Sequence, residues 1–257
     1  MQLYKKGKAY KKSAPVNWCP SCQTVLANEQ VVNGACERCG TTVIQKEMEQ
    51  WFFRITDYKD ELIDGLNQVD WPHATKQQQL NWIGKKAGIN ITYKVEGTDQ
   101  EVVCFTTRPD TNFGATFIVL APEHELVKKI IAGDVKVDAK NHEEVKKYAE
   151  YAKIKTEEER KSEGKKKTGV FTGLYAINSL NSKKLPLWIS DFVLAGFGTG
   201  AVVGVPGHDV RDFQFAQTFN IPVIRVVSVQ GETGDITSED QVQEEEGVMV
   251  NSDFLNG

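Results

Sequence analysis

Length, composition and charge exclude several classes of protein. The 257 residues are 40% hydrophobic and 26% charged, which is typical of globular material and allows one large domain and a small one. No apolar run approaches the roughly eighteen residues of a membrane span. The lysine-rich start from Met1 to Lys12 has no apolar segment behind it, so we expect a soluble cytoplasmic protein without a membrane partner.

The net charge of -4 excludes a generally basic nucleic-acid-binding surface, and any RNA contact must be local. Two lysine-rich segments could supply one, the basic segment 1–14 and the run Lys153–Lys167. A solvated surface is the simpler interpretation of both.

A cysteine motif follows the basic segment, and we assign residues 15–45 to a zinc ribbon. Cys19 and Cys22 form one Cys-x-x-Cys pair, Cys36 and Cys39 form a second, and thirteen residues separate the pairs. Two such pairs can aim four thiolates at one tetrahedral metal ion. We expect a structural zinc ion, because four protein ligands leave no open coordination position for catalysis.

The next segment, residues 46–82, carries a helical pattern. Its apolar residues recur mostly at three- and four-residue spacing, with breaks at Gly65 and at Trp71-Pro72. We predict a helical connecting segment, with Trp51 and Phe52 in the core.

From residue 83 onward the pattern changes to short β-type runs. The predicted strands are Ile89–Val95, Glu101–Thr106, Thr116–Leu120, Leu185–Ile189, Ala201–Val205 and Ile221–Val229. The predicted helices are Glu123–Ala132, His142–Tyr151 and Val210–Phe219. Short strands with helices between them favour an α+β fold, here a β-barrel-type domain over residues 83–257 with peripheral helices. We place its boundary near Asn81–Gly84 and expect Cys104, inside an apolar strand, to be a core residue.

A polar turn is predicted where the second of these strands ends. Pro109 cannot continue a strand, so the segment Thr106–Thr111 presents hydroxyl groups and a guanidinium at the strand exit. A surface turn with an ion pair between Arg108 and Asp110 explains the composition equally well.

A second motif joins a glycine-interrupted strand, Gly198–Val205, to a His-Asp-x-Arg-Asp cluster that opens a helix. Glycines in a strand allow close approach of a ligand or of another backbone. Asp209 as a helix N-cap and His208 as a loop histidine are the plain alternatives. A phosphate-binding loop is disfavoured, because no Gly-Lys-Ser/Thr sequence ends the glycine run.

Together the two motifs resemble the threonine-rich and His-Asp-x-Arg-Asp regions of the editing (CP1) domain of leucyl-tRNA synthetases. The similarity extends through Ala14–Cys22, Asn81–Gly84 and Gly247–Ser252, and so covers essentially the whole chain. Related isoleucyl and valyl enzymes fit less well, because the zinc motif and the segment Thr168–Gly173 are similar to the leucyl type. The His-Ile-Gly-His and Lys-Met-Ser-Lys-Ser signatures of class I aminoacylation do not occur in these residues. We therefore expect a piece of a longer ligase that does not charge tRNA by itself.

The resemblance implies roles for individual residues. Asp212 matches the carboxylate that anchors the ammonium group of the substrate, with Asp209 as support. Thr106 and Thr107 would hold the ester carbonyl and the attacking water. Thr111 matches the residue that blocks the leucine side chain.

The remaining residues of the implied site would bind substrate without carrying the chemistry. Arg108 would meet the terminal ribose or phosphate, and Val203 and Val205 would line an apolar wall. His208 would stand beside the substrate, where a structural histidine is favoured over a general base.

The implied activity is post-transfer editing, which is hydrolysis of the aminoacyl ester of tRNA(Leu) charged with Ile, Met or norvaline. The expected partners are the 3′ end of that tRNA and the remainder of the synthetase, in a monomer. Zinc is the expected cofactor of this chain, and ATP and Mg²⁺ belong to the full-length parent. The alternative is a tRNA-binding zinc and barrel module without hydrolytic activity. Two departures from the family pattern are Phe197, where tyrosine is common, and Asn112, where an apolar residue is usual.

Overall fold

The computed structural model describes residues 1–155, 159–160, 167–196, 198–229 and 232–257. Contacts within the chain divide it into two units, Met1–Ala87 and Gly88–Gly257. The departure noted at Phe197 and most of the lysine-rich run Lys153–Lys167 lie outside the described residues. Among the helices that are described, none is both long and apolar enough to cross a membrane.

The first unit is built on a long antiparallel hairpin. Its elements in chain order are helix α1 (Gln2–Lys5), strands β1 (Ala9–Cys19), β2 (Thr24–Leu26), β3 (Val31–Val32), β4 (Ala35–Cys36) and β5 (Ile44–Phe53), and helices α2 (Lys59–Gly65) and α3 (His73–Ile83). Strands β2, β1 and β5 form one sheet in that order, and β3 pairs with β4. The pairing of β1 with β5 runs from Ala9–Phe53 to Trp18–Ile44.

The helical prediction is wrong for residues 46–53, which lie in strand β5. Burial there alternates with a period of two, because Met48, Gln50 and Phe52 are partly buried and their neighbours are exposed. Phe52 stacks on its cross-strand partner Tyr10 with ring centroids 5.7 Å apart. Trp51 was expected in the core and is 56% exposed. Apolar residues at short spacings can fit either a helix or a strand. Pairing with β1, which is distant in the sequence, decided the conformation of this segment.

The rest of the connecting segment agrees with the predicted helices and breaks. Helix α2 ends at Gly65 and α3 begins after Pro72, which takes the N-cap position. A left-handed Gly84 ends α3, as is common at helix C-termini.

Within the described residues, the second unit contains a six-stranded sheet and three α-helices. Its strands are β6 (Ile89–Val95), β7 (Glu101–Thr106), β8 (Phe117–Leu120), β9 (Val170–Ile177), β10 (Lys184–Ile189) and β11 (Ala201–Gly204), with a separate pair β12 (Val227–Ser228) and β13 (Val248–Met249). The helices are α4 (Glu125–Ala132), α5 (Ala139–Ile154) and α6 (Val210–Phe219). The sheet order is β11-β8-β10-β9-β6-β7, and its pairs are antiparallel except β8 with β10.

The two end strands of this order, β11 and β7, also pack against each other. The sheet therefore curls into a nearly closed barrel, which confirms the α+β barrel prediction. Fully buried side chains such as Ile118, Leu187 and Cys104 fill its interior, so Cys104 is a core residue as expected. A second cluster lies under α6, where Phe215 stacks on Phe117 at 5.0 Å.

Two β-type expectations differ from the structure. Strand β9 is present although no strand was predicted there. In the predicted run Ile221–Val229, only Val227 and Ser228 pair as a strand. The backbone N–H groups of Val226 and Val227 both donate to the His208 ring. This side chain supplies the acceptor that a neighbouring strand would otherwise provide.

Candidate functional site

The four predicted metal-binding cysteines come together in the first unit. Their sulfur atoms all lie within 4.8 Å of one another, and the sulfurs of Cys19 and Cys39 are 3.4 Å apart. Ligand distances of about 2.3 Å in a tetrahedral zinc–thiolate site place the sulfurs about 3.8 Å apart. The Cys22 N–H points at the Cys19 sulfur at 3.3 Å. The donor set and spacing therefore fit a four-coordinate metal ion, compatible with zinc.

The electrostatics of these thiols also favour a cation. The Thr41 side chain donates to Cys39 and lowers the pKa of that thiol to about 6. The shared hydrogen bond with Cys39 raises the pKa of Cys22 to about 12. Sulfurs this close cannot all ionise without a positive charge between them, and metal binding would supply it.

The turn after β7 is organised by an ion pair. The Arg108 guanidinium bonds both carboxylate oxygens of Asp110, at 2.8 Å from Nη2 and 3.1 Å from Nε. Burial opposes ionisation of Asp110, but the hydrogen bond and charge of Arg108 outweigh it, so the pKa of Asp110 lies below its usual range. Thr106 accepts the Arg108 N–H at 3.0 Å, and Thr107 is exposed. The surface-turn alternative is thus correct about the ion pair.

Thr111 lies in a short 3-10 helix, Pro109–Gly114, that follows this turn. Its side chain is 2% exposed, and its hydroxyl donates to the Arg108 carbonyl at 2.9 Å. Because the hydroxyl is held, the position of the Thr111 methyl group is held as well. This is the rigidity that a steric block requires.

Strand β11 leads into helix α6 through the His-Asp-x-Arg-Asp cluster. Asp209 is the N-cap of α6 and accepts the N–H groups of Arg211 at 2.8 Å and Asp212 at 3.1 Å. Asp209 therefore acts as the helix N-cap, as the plain alternative predicted.

Asp212 lies in the first turn of α6 and is 8% exposed. Its Oδ2 accepts the Val205 N–H at 2.8 Å. Within the described residues its Oδ1 accepts no hydrogen bond. Burial, together with the negative charge of Asp209, raises the pKa of Asp212 to about 7. A buried carboxylate with one open oxygen is a strong acceptor for a cation that can enter.

His208 has both ring nitrogens engaged by backbone. Nδ1 lies 2.9 Å from the Gln243 carbonyl, and Nε2 accepts the N–H groups of Val226 and Val227 at 2.9 and 3.1 Å. This pattern fixes a neutral ring that donates from Nδ1. Burial lowers the pKa of His208. Both ring nitrogens of His208 are therefore occupied by backbone partners.

The acidic stretch Glu239–Glu246 joins the two motifs. The Glu244 carbonyl accepts from Arg108 at 3.3 Å, and its carboxylate accepts the Val210 N–H at 3.0 Å. Gln243 contacts His208 and, through its own N–H, the Gly207 carbonyl at 3.1 Å. No sequence pattern identified these two residues, because their contacts are mostly through backbone atoms.

Val203 and Val205 are 8% and 9% exposed and belong to the barrel core. A methyl carbon of Val205 lies 3.3 Å from the point where a Cβ on Gly114 would stand. The 3-10 helix carrying Thr111 therefore packs directly on the end of β11. Closure of the barrel brings the threonine-rich turn and the buried Asp212 into one region.

The model for the editing domain of leucyl-tRNA synthetase matches residues 80–257. The chain belongs to the leucyl-tRNA synthetase family. The model for class I tRNA synthetases of the I, L, M and V types matches residues 1–94, so both parts of the chain are covered.

Relatives in this family are similar along the full chain. Leucine–tRNA ligases of Clostridium tetani and of Caldanaerobacter subterraneus are 52% and 54% identical over all 257 residues. The chain spans 30% of the length of each of these ligases.

A solved structure of a family member is similar in fold. It is the agnB2 LeuRS of Agrobacterium radiobacter K84 in a ternary complex with tRNA and LeuAMS, with a TM-score of 0.65 and 40% sequence identity. The match covers 94% of this chain and 28% of that protein.

Proposed function

We propose that this chain hydrolyses the aminoacyl ester of tRNA(Leu) that carries Ile, Met or norvaline. The observation that carries the proposal is the meeting of the two motifs: Glu244 bonds both Arg108 at the β7 exit and Val210 at the start of α6. These contacts support a single site in which the turn after β7 would recognise the ester and the first turn of α6 would recognise its amine.

Asp212 would anchor the substrate ammonium. Its Oδ2 is held by the Val205 N–H, so Oδ1 has a fixed direction in which to receive an N–H⁺ donor. A charge-assisted bond in a buried position is stronger than one in water. Binding of the ammonium would also favour the ionised carboxylate.

Hydrolysis needs water placed against the ester carbonyl carbon. The water oxygen bonds to that carbon, the ester C–O bond breaks, and the ribose oxygen leaves as a hydroxyl group with a proton from the attacking water. Thr106 accepts a backbone N–H, which leaves its own hydroxyl proton to be donated to the carbonyl or the water. The exposed Thr107 would share this role with Thr106, and the Arg108 guanidinium would meet the terminal ribose or phosphate. Orientation of the reactants would supply much of the rate.

Thr111 would exclude leucine by contact. A synthetic pocket separates side chains that differ by one methylene or a branch by only about 1–3 kcal/mol, so a second site is needed to remove errors. A buried threonine with a fixed rotamer blocks one shape and admits another. Val203 and Val205 would form an apolar wall of the site.

The remaining parts of the proposal concern the rest of the parent. The cysteine cluster would hold a structural zinc ion, and ATP and Mg²⁺ would act in the full-length ligase. The 3′ end of tRNA(Leu) and the remainder of the synthetase would be the partners. A monomeric state and a cytoplasmic location belong to the same proposal.

The deciding experiment is release of radiolabelled isoleucine from Ile-tRNA(Leu), with Leu-tRNA(Leu) as the control substrate. We expect release by the unmodified chain, its loss in Asp212→Ala, and attack on leucine in Thr111→Ala. Thr111→Val keeps the bulk and loses the hydroxyl that bonds the Arg108 carbonyl, so it separates the contribution of bulk from that of the fixed rotamer. Binding of the tRNA without any release at saturating protein would favour the tRNA-binding module instead.

A further inference from the structure

A buried polar cluster, distinct from the groups described above, lies behind the 3-10 helix that carries Thr111. The Tyr93 hydroxyl donates to the Asn112 side-chain oxygen at 2.6 Å. Asn178 donates its Nδ2 to the Asn112 carbonyl at 2.8 Å. A third contact, from Asn112 Nδ2 to Asn178 Oδ1, is weak at 3.5 Å. The three residues are 1%, 2% and 0% exposed.

Polar groups in an apolar core are costly unless their hydrogen bonds are made, at about 1–3 kcal/mol for each group left unpaired. Tyr93 lies within the barrel core beside Cys104. Apolar side chains at these buried positions would leave no hydrogen bonds to satisfy. Asn112 is thus bonded to two barrel elements, because Tyr93 belongs to β6 and Asn178 follows β9. These bonds restrict the 3-10 helix in more than one direction.

The turn that supplies Asn178 is itself held. The Asn178 N–H donates to the Lys183 carbonyl at 2.9 Å, and its carbonyl accepts from Ser182 at 2.8 Å. Its side-chain oxygen accepts the Leu180 N–H at 3.0 Å. Asn178 is therefore a fixed support, and the Asn112 backbone is fixed against it.

We propose that Asn112 is a positioning residue, which is held between Tyr93 and Asn178 and sets how strictly its neighbour Thr111 excludes leucine. The Thr111 hydroxyl is held by its bond to the Arg108 carbonyl at 2.9 Å. The Thr111 backbone is held through its chain neighbour Asn112. Leucine and isoleucine differ only in the position of a branch, so a small displacement of the blocking methyl group changes the discrimination. The inference rests on the proposed editing function.

The variants Tyr93→Phe and Asn178→Ala each remove one support without touching the substrate groups. We measure the ratio of Ile-tRNA(Leu) to Leu-tRNA(Leu) hydrolysis and expect it to fall about tenfold in both. Tyr148→Phe is the matched control, because its buried hydroxyl contacts Thr168 and Asp191 instead. Its ratio is expected to stay within about twofold of the unmodified chain.

Epistasis tests whether the effect passes through Thr111. In the Thr111→Ala background the blocking methyl group is gone, so Tyr93→Phe should lower the ratio no further. Hydrogen exchange of the amides from 110 to 115 should be faster in Tyr93→Phe and unchanged in Tyr148→Phe. A lower ratio that persists in the Thr111→Ala background contradicts positioning through Thr111.

The outcomes separate this inference from the function on which it rests. Preserved isoleucine release with an unchanged ratio and unchanged exchange in Tyr93→Phe overturns the assignment of Asn112 alone. No isoleucine release by the unmodified chain overturns the editing proposal, and leucine exclusion by Thr111 is then lost with it.

Discussion

The Asp212 carboxylate accepts the Val205 N–H at 2.8 Å, so the first turn of α6 is tied to the end of β11. This hydrogen bond requires an acceptor oxygen, and that oxygen need not carry a charge. The proposed ammonium anchor, in contrast, needs the negative charge. One side chain thus serves two purposes that substitution can separate.

The substitution Asp212→Asn should abolish isoleucine release while preserving the fold. The Asn oxygen can still accept the Val205 N–H, but no charge remains to hold an ammonium group. Removal of a buried charge is expected to stabilise the chain near neutral pH by on the order of 2 kcal/mol. Thermal unfolding beside hydrolysis checks both statements, with the exposed Asp134→Asn as control. Full activity of Asp212→Asn would refute the anchor.

The pH dependence of editing should follow the ionisation of Asp212. Its pKa is raised to about 7, so the anchoring carboxylate forms as pH rises, and kcat/KM should rise through about pH 7. The contribution of Asp212 to folding stability changes with pH in the opposite direction. Since the folded-state pKa lies above the ordinary value, folding favours the protonated form, and stability from this group falls as pH rises from about 4 through about 7. Hydrolysis and unfolding measured between about pH 5 and about pH 8.5 test this, and a flat kcat/KM profile would contradict it.

Removal of the metal should affect the first unit and spare hydrolysis. The four sulfurs within 4.8 Å have little apolar material around them, so metal binding supplies much of the local folding energy. Chelation, or Cys36→Ser, should speed hydrogen exchange in residues 15–45 and reduce isoleucine release by less than about threefold. Cys104→Ser is the control thiol change, because Cys104 lies in the second unit. Complete loss of hydrolysis on chelation, restored by added zinc, would point to a catalytic metal.

Substitution of His208 should cost stability before it affects chemistry. Three backbone groups depend on its ring, and His208→Ala leaves them unpaired, at about 3 kcal/mol or more in total. The exposed His73→Ala should be nearly neutral. If His208→Ala keeps its melting temperature and loses hydrolysis, the histidine is a general base after all.

Local patterns were sufficient wherever the interacting residues are near in the chain. Two Cys-x-x-Cys pairs predict a shared metal site, because each pair forms a tight turn that aims two sulfurs at one ion. The limits of β6, β7 and α6 coincide with the predicted segments, since alternation, a terminal proline and an N-cap aspartate are local signals. The two polar motifs were also visible, but their separate surface interpretations could not be rejected from sequence.

Tertiary structure decided the rest, because it depends on contacts between residues far apart in the chain. Residues 45–53 became a strand only through pairing with β1. Closure of β7 against β11 brought together motifs that are about a hundred residues apart. Burial raised the pKa of Asp212, and backbone groups from three later positions occupied the His208 ring. The sequence determined which chemical groups are present, and the barrel determined which of them meet and in what state of ionisation.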